Sequence, residues 1–307
     1  MTRISSSMIN ASALNDLQRA QAEMYDAQRK TASQKQADDL KGYGADARTV
    51  VSLSRMRAQT EAYGETASEL ATRLELQDNH LGRAAEIAGS LREELTSALA
   101  LGDMSGIARK LASTFSDIKS AFNANLNGKY LFAGNVPEEP PITATDISDL
   151  AANPLADSLN SDSKAVQVRI AENRLVEAGP LAHEEAAELL GILRDLQVFE
   201  EGPDGPFDDN PTEAQKAAVQ AAIAALKPAH ENLIGTQAKN GQVLNETDTI
   251  IERHTSESNV LESLSADITE VDLAEVAVKL NQAQLQYQAT ASIFRTIQGL
   301  SLVDYLR

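Results

Sequence analysis

The chain contains no cysteine and no tryptophan among its 307 residues, and aromatic residues make up only 4% of it. The absence of cysteine excludes disulfide bridges, zinc sites built on thiolates and cysteine nucleophiles. Hydrophobic residues nevertheless make up 42% of the chain, which is enough for a buried core. This composition favours long, slender helices with leucine and alanine seams over a wide core filled by aromatic rings.

Basic residues are also scarce, since 27 Lys and Arg stand against 45 Asp and Glu and give a formal net charge of −18. Because like charges repel, neither nucleic acid nor an anionic membrane is expected as the main partner. No run approaches the roughly 20 apolar residues of a membrane-spanning helix, so we expect no membrane insertion. The first residues lack the basic and apolar segments of a standard signal peptide, so export would need another route.

Proline divides the chain into three parts. Eight of the nine prolines lie between Pro137 and Pro211, and only Pro228 lies outside that range. Proline breaks helix interiors, so the flanks can be long helices and the middle cannot. The same middle part is acidic, because residues 136–213 hold 18 acidic and 4 basic residues. The sequence therefore predicts a small acidic insert between two helical arms.

The N-terminal arm shows helical spacing of its apolar residues, first from Ile4 to Met24 and then, after a break at Gly42 and Gly44, from about residue 45 to 101. A third helix is predicted over about 107–127. The predicted buried face of the second helix consists of Leu70, Leu74, Gln77, Leu81, Ala84, Ala88, Leu91, Leu95 and Ala98.

The insert combines strand and helix patterns. Strict alternation over Val166–Ile170, followed by a short polar turn and the run Arg174–Val176, predicts a β-hairpin. Residues 183–199 return to helical spacing, and the acidic loop 201–210 is expected to be exposed.

The C-terminal arm is predicted to begin near Thr212, with a kink or a new helix at Pro228. Its last segment has an apolar seam at alternating spacings of three and four, which is typical of a coiled coil. A second apolar face on the same helix comprises Val278, Leu285, Ile293 and Leu300. The seam either closes a bundle within one chain, against Met8, Leu17 and Met24, or contacts other subunits. In an assembly both can hold, with the ends packed together and the second face on a neighbour.

The chain offers little for catalysis. Its four histidines lack metal-ligand spacing, and neither a glycine-rich phosphate loop nor a serine elbow is present. We therefore expect no catalytic residues, no metal and no cofactor, and an enzyme is the least favoured class.

Five short motifs in order carry a resemblance to a known family. They are Met1–Ser5, Asn127–Gly134 (Asn-Gly-Lys-Tyr-Leu-Phe-Ala-Gly), Ile234–Asn240, Ile268–Ala277 and Ser301–Leu306. Together they resemble the flagellin superfamily, and within it most closely the hook-associated protein 3 family of the hook–filament junction. The resemblance covers residues 1–135 and 212–307 but not the insert. The bend after the first helix is made by glycines here, where that family often has Ser-Asp-Asp-Pro.

The resemblance implies a mainly α fold, a long antiparallel helical hairpin or bundle forming a rod, with coiled-coil terminal helices and a small α+β insert. The expected segments are a terminal helix at 1–41, a rod half at 42–135, the acidic proline-rich insert at 136–211, a second rod half at 212–268 and a terminal helix at 269–307.

The resemblance also implies a structural, non-enzymatic role in the bacterial flagellum, joining hook to filament outside the cell after type III export. The implied partners are further copies in a ring, other hook-associated and flagellin subunits, and an export chaperone on the C-terminal helix. The residues expected at subunit interfaces are Ile4, Met8, Leu14, Leu17, Met24, Leu273, Val276, Leu280, Ala283, Tyr287, Phe294, Ile297, Leu302 and Leu306.

Two alternatives remain at the level of the sequence. The nearer is a filament flagellin, which is also structural. The farther is a secreted coiled-coil binding module whose insert recognises a surface ligand such as a glycan. That module would need a concave pocket lined by aromatic residues, and the insert offers only Phe199 and Phe207.

Overall fold

The computed structural model describes residues 2–160 and 164–305, with side chains in the terminal helices described for Met8 and from residue 11 to Ile297. The helices are α1 (Thr2–Ser33), α2 (Ala47–Leu101), α3 (Ile107–Phe122), α4 (Ile147–Ala152), α5 (Ala182–Glu185), α6 (Ala187–Glu200), α7 (Glu213–Thr269) and α8 (Leu273–Tyr305). Short 3₁₀ helices span Leu40–Asp46 and Leu155–Ser158. The strands are β1 (Asn125–Leu126), β2 (Lys129–Tyr130), β3 (Gln167–Ala171) and β4 (Arg174–Glu177). The predicted mainly α fold, with long helices and small two-stranded sheets, is confirmed.

Two compact units divide the chain. Unit 1 comprises Met1–Gln59 and Glu257–Arg307, and unit 2 comprises Thr60–Ser256. Helices α2 and α7 each contribute residues to both units. The finer division into five segments stays a prediction.

Within unit 2, α2 and α7 run antiparallel. The Asn240 side-chain amide donates to the Leu74 carbonyl at 2.8 Å, and the side chain of His230 lies beside Gly89, nearer the end of α2. The predicted face of α2 is confirmed, because every residue from Leu70 to Leu95 in that stripe is buried and Ala98 is half-buried. The spacing of three and four keeps these side chains on one stripe of the helix.

The core of unit 2 is shared between the helical arms and the insert. Ile142 and Leu150 from the insert are fully buried in the same cluster as Leu81 of α2, Phe115 of α3 and Leu226 of α7. Helix α6 adds a leucine face to this cluster. The insert therefore packs through apolar side chains on the helices that flank it in sequence.

Two hairpins complete unit 2. Strands β3 and β4 pair antiparallel, with Val168 opposite Val176, so the predicted hairpin is confirmed. Helix α3 ends at Phe122, five residues before the predicted boundary, because the Asn123 side chain both donates to and accepts from the Ile142 backbone, at 2.8 and 2.9 Å. The chain then forms the β1–β2 hairpin through Asn127 and Gly128, which both have positive φ.

Two local expectations are corrected. Of the two alternatives at Pro228, a new helix is wrong, because α7 continues through this residue, with Leu226, Ala229 and Leu233 on either side buried against the core, and a kink there stays a prediction. The loop 201–210 is not wholly exposed, because Phe207 is buried and stacks on Phe199 with ring centroids 5.3 Å apart. Apolar burial offsets the tendency of an acidic loop to stay solvated.

Candidate assembly surface on the terminal helices

The terminal helices α1 and α8 pack against each other within unit 1. They run antiparallel, since Ser12 and Asp16 line one groove with Ile297, whereas Glu23 and Ala27 line another with Val276. Alanines at the seam are buried, which lets the two helices approach closely; the buried seam residues are Ala20, Ala27, Val276 and Ala283.

The linkers at the ends of these helices are joined by backbone hydrogen bonds. The Gln36 N–H donates to the Thr269 carbonyl at 2.8 Å, and the Val271 N–H donates to the Gln34 carbonyl at 3.1 Å. The Asp272 carboxylate then accepts from the Ala274 N–H at 2.8 Å and so caps the start of α8. The entry into α8 is thereby tied to the exit from α1.

An ion-pair cluster reinforces the end of α1. The Lys30 ammonium lies 2.9 Å from the Asp26 carboxylate, and the Arg29 guanidinium pairs with both Asp26 and Asp38. The hydrogen bond from Lys30, joined by Arg29, holds the pKa of Asp26 below its usual value. These groups are partly exposed, so their ion pairs contribute little to stability and mainly orient the side chains at the end of α1.

The side of α8 that faces away from α1 is apolar and exposed. At about 100° per residue, Val278 and Leu285 lie about 180–200° around the helix from the buried Val276. Ile293 lies about 260° around it, at the edge of this side, and also lines the groove with Ser12 and Asp16 of α1. The exposed fractions of Val278, Leu285 and Ile293 are 66%, 68% and 59%. No charged residue occurs between Leu280 and Phe294, where the polar positions are filled mainly by Gln, Asn, Ser and Thr. We call Val278, Leu285 and Ile293 the outer face of α8.

The residues predicted at subunit interfaces divide into three groups in the structure. Most of them lie buried or half-buried on α1 and α8: Leu17, Met24, Val276, Leu280, Ala283, Tyr287, Phe294 and Ile297. Met8, Leu14 and Leu273 are exposed. The side chains of Ile4 and Leu302, and Leu306 altogether, lie outside the described residues. The contribution of any of them to contacts between subunits stays a prediction.

Sequence reasoning found the outer face of α8 as a second apolar stripe, but it missed the pairing of the two linkers. The hydrogen bonds between the linkers involve only backbone atoms of residues 34–36 and 269–271, so no pattern of side chains predicts them. The Ser-Asp-Asp-Pro bend is absent, yet the chain still turns. Asp39 caps the 3₁₀ helix by accepting from the Gly42 N–H at 3.0 Å, and Gly44 adopts a φ of 54°.

Other kinds of site find little support in the part of the chain that the structure describes. Within residues 2–160 and 164–305, no group of three or more His, Asp or Glu side chains is placed to hold a metal ion. No described helix is both long and apolar enough to cross a bilayer. Phe199 and Phe207, which a ligand-binding insert would need at its surface, stack on each other instead, and Phe207 is buried.

Comparison with solved structures finds the same fold in two proteins described as flagellar. The chain matches a Vibrio parahaemolyticus protein described as a flagellar hook-associated protein, with a TM-score of 0.60 and 20% sequence identity over 75% of this chain and 98% of that one. It also matches FlgL of Bacillus cereus, with a TM-score of 0.56 and 13% identity over 70% of this chain and 99% of that one. No family model and no curated protein sequence matches the chain. The chain therefore has the fold of flagellar hook-associated proteins, as the terminal motifs indicated.

Proposed function

We propose that this chain is a structural subunit of the bacterial flagellum and joins the hook to the filament. The observation that carries the proposal is the outer face of α8, which is apolar, uncharged and exposed although the helix is already packed on α1. An apolar surface of this kind marks a contact with another protein, and charged residues are depleted at the centres of such contacts. The fold shared with two flagellar proteins supports the flagellum as the place of that contact.

The packing explains how one helix pair can serve both the subunit and an assembly. Alanines close the seam within the chain, and the larger side chains Val278, Leu285 and Ile293 remain for a neighbour. In a ring, each copy would present this face to the next subunit and a different face to the previous one. We propose such a ring of copies, with other hook-associated subunits and flagellin as further partners.

The same face bears on export. Before assembly, an exposed apolar helix face favours aggregation, so a chaperone covering α8 would keep the subunit soluble. We propose that an export chaperone binds α8, that the subunit leaves by the flagellar type III pathway and that it functions outside the cell. In cells with a disabled flagellar export apparatus, the protein should accumulate inside. Appearance in the medium of such cells would contradict this route.

The hook–filament role is tested by deleting the gene and examining the cells by electron microscopy. A junction subunit predicts hooks without filaments, and restored filaments when the intact chain is supplied in trans. Loss of one filament flagellin among several predicts filaments that persist. Filaments of normal number on the deletion strain would therefore overturn the junction role.

A further inference from the structure

The first turns of α2 and the last turns of α7, which both belong to unit 1, carry charges of opposite sign. Residues 47–59 of α2 include three arginines and no acidic residue. Residues 257–270, at the end of α7, include four acidic residues and no lysine or arginine. The whole chain has a formal charge of −18, so copies of it repel one another except where surfaces of opposite sign meet.

Two of the three arginines lie on the side of α2 that faces away from α7. The half-buried Arg57 marks the side toward α7, because its guanidinium lies 3.6 Å from the Glu262 carboxylate. At about 100° per residue, Arg48 and Arg55 lie about 160–180° around the helix from Arg57. Both are exposed, and Val51 between them is 41% exposed. We call Arg48, Val51 and Arg55 the basic face of α2.

Two acidic residues of α7 likewise lie away from its buried side. Leu261 is buried, and Glu270 and Asp267 lie about 180° and 120° around the helix from it. Both carboxylates are exposed. We call Asp267 and Glu270 the acidic face of α7. Within residues 2–160 and 164–305, no ion pair holds a charged group of either face, whereas Arg57 and Glu262 bind each other.

The charges of both faces also oppose the dipoles of their own helices. Arg48 stands in the first turn of α2, which has no acidic residue, and Asp267 stands in the last turn of α7, which has no basic residue. A helix dipole favours acidic groups at its start and basic groups at its end. Neither charge therefore stabilises the helix that carries it, and a group of opposite sign from outside would offset both disadvantages.

We propose that the basic face of α2 docks on the acidic face of α7 of a second copy of this chain. Charge complementarity selects the occupant, because each copy carries both faces and they are directed away from each other. Their levels also correspond: measured toward the paired linkers, Arg48 lies about 14 Å from Arg57 and Glu270 about 12 Å from Glu262. Such a head-to-tail contact leaves one face of each copy free for the next copy, as a ring requires. The inference rests on the proposed function for the expectation of a ring.

The first test is intermolecular photo-crosslinking with the full chain. Val51, in the middle of the basic face, is replaced by benzoylphenylalanine. Unlabelled and ¹⁵N-labelled protein are mixed at millimolar concentration and irradiated, so that crosslinks between copies carry both isotopes. We expect mixed-isotope crosslinks into residues 257–272, with a yield that falls as sodium chloride is raised, because salt screens exposed charges.

Charge reversal then tests whether the two faces bind each other. One variant combines Arg48→Glu with Arg55→Glu, and the other combines Asp267→Arg with Glu270→Arg. Each variant alone should lower the crosslink yield about tenfold or more, because faces of like charge then meet. A mixture of the two variants should restore the yield to within about twofold of the parent, since each reversed face finds its complement on the other protein.

Matched controls separate this contact from a loss of folding or a change of net charge. Arg48→Glu and Asp267→Arg give the helix ends the charges that their dipoles favour, so neither double variant should lower the thermal midpoint. Arg83→Glu combined with Arg109→Glu changes the net charge as much as reversal of the basic face does. Both of these arginines are exposed in unit 2, and this control should crosslink like the parent.

Four outcomes would overturn the inference: no crosslink between parent copies, an unchanged yield in both reversed variants, no recovery in their mixture, or crosslinks in cells to a different protein. These outcomes are separate from the test of the hook–filament role. If the mixture does not recover while the deletion strain lacks filaments, this contact is refuted and the proposed function stands. If the deletion strain keeps its filaments while the mixture recovers, the proposed function fails and the contact between copies stands.

Discussion

Replacement of Leu285 by aspartate should abolish assembly while leaving the folded chain intact. Leu285 is 68% exposed, so about two-thirds of its burial remains to be gained in a contact with another subunit. Full burial of a leucine side chain is worth about 1.5–3 kcal/mol, which leaves about 1–2 kcal/mol for that contact. An aspartate would lose this gain and add a desolvation cost of about 1–3 kcal/mol.

The expected loss is therefore about 2–5 kcal/mol for each copy, or a weakening of about 30-fold or more at every contact around a ring. In the isolated chain, Leu285→Asp changes only an exposed helix position, which costs about 0.7 kcal/mol or less in helix propensity. The thermal midpoint of the purified protein should thus stay within a few degrees of the parent, by order of magnitude. Filament number by electron microscopy and swimming in soft agar measure the assembly.

The matched control is Leu101→Asp, the same substitution at a leucine that is 79% exposed at the end of α2 in unit 2. It should assemble and swim like the parent. Leu280→Asp provides the contrast, because Leu280 is half-buried on α8 between Val276 and Ala283, and its replacement should also loosen α1 from α8. Normal filaments with Leu285→Asp, or the same defect with Leu101→Asp, would refute the argument that the outer face of α8 is the assembly surface.

Three further predictions concern single groups. Because the pKa of Asp26 is lowered in the folded chain, its ion pairs stabilise the fold above the unfolded pKa near 3.8, and this stabilisation is lost as the pH falls through the lower folded pKa. Asp26→Asn should therefore flatten the acidic part of the curve of thermal midpoint against pH, and an unchanged curve would contradict this. Gly179→Ala should destabilise the fold by several kcal/mol, because φ is +93° and a Cβ would overlap the Gln77 amide. Gly102→Ala, with φ +69° and open space around it, should cost only about 1–2 kcal/mol, and urea unfolding measures both variants. Burial raises the pKa of Glu185, so the ionised carboxylate destabilises the fold at pH values above that raised pKa. Glu185→Gln should therefore raise the thermal midpoint at pH 7 and leave it nearly unchanged at pH 4. Equal shifts of the midpoint at the two pH values would rule out this explanation.

Much of the fold follows from patterns that act locally. The stripe from Leu70 to Leu95 fixes both the helix and its buried face, because only a 3.6-residue period keeps those side chains together. The alternation from Val166 to Ile170 likewise favours a strand of the hairpin, since a strand with a period of two presents one apolar face. The local pattern predicted an α3 that is too long, because the helix ends where the Asn123 side chain binds the backbone of Ile142, which is distant in sequence.

The candidate site was only partly accessible from the sequence. Spacing showed that α8 has two apolar faces, but it left open whether the seam closes within one chain or between subunits. The structure places α1 on the face with Val276 and Ala283, because alanines in both helices permit close approach there. The larger residues Val278 and Leu285 stay exposed on the opposite side.

The sequence by itself determined the helical class, the position of the insert, the two hydrophobic faces of α8 and the resemblance carried by short terminal motifs. These features depend on residue type and spacing along a few turns or strands, so the sequence is enough to recognise them. Only the tertiary structure decided that the linkers at 34–36 and 269–271 pair through their backbones and that Phe207 is buried. Each of these depends on groups far apart in the chain, whose distance is set by packing and leaves no periodic trace in the sequence.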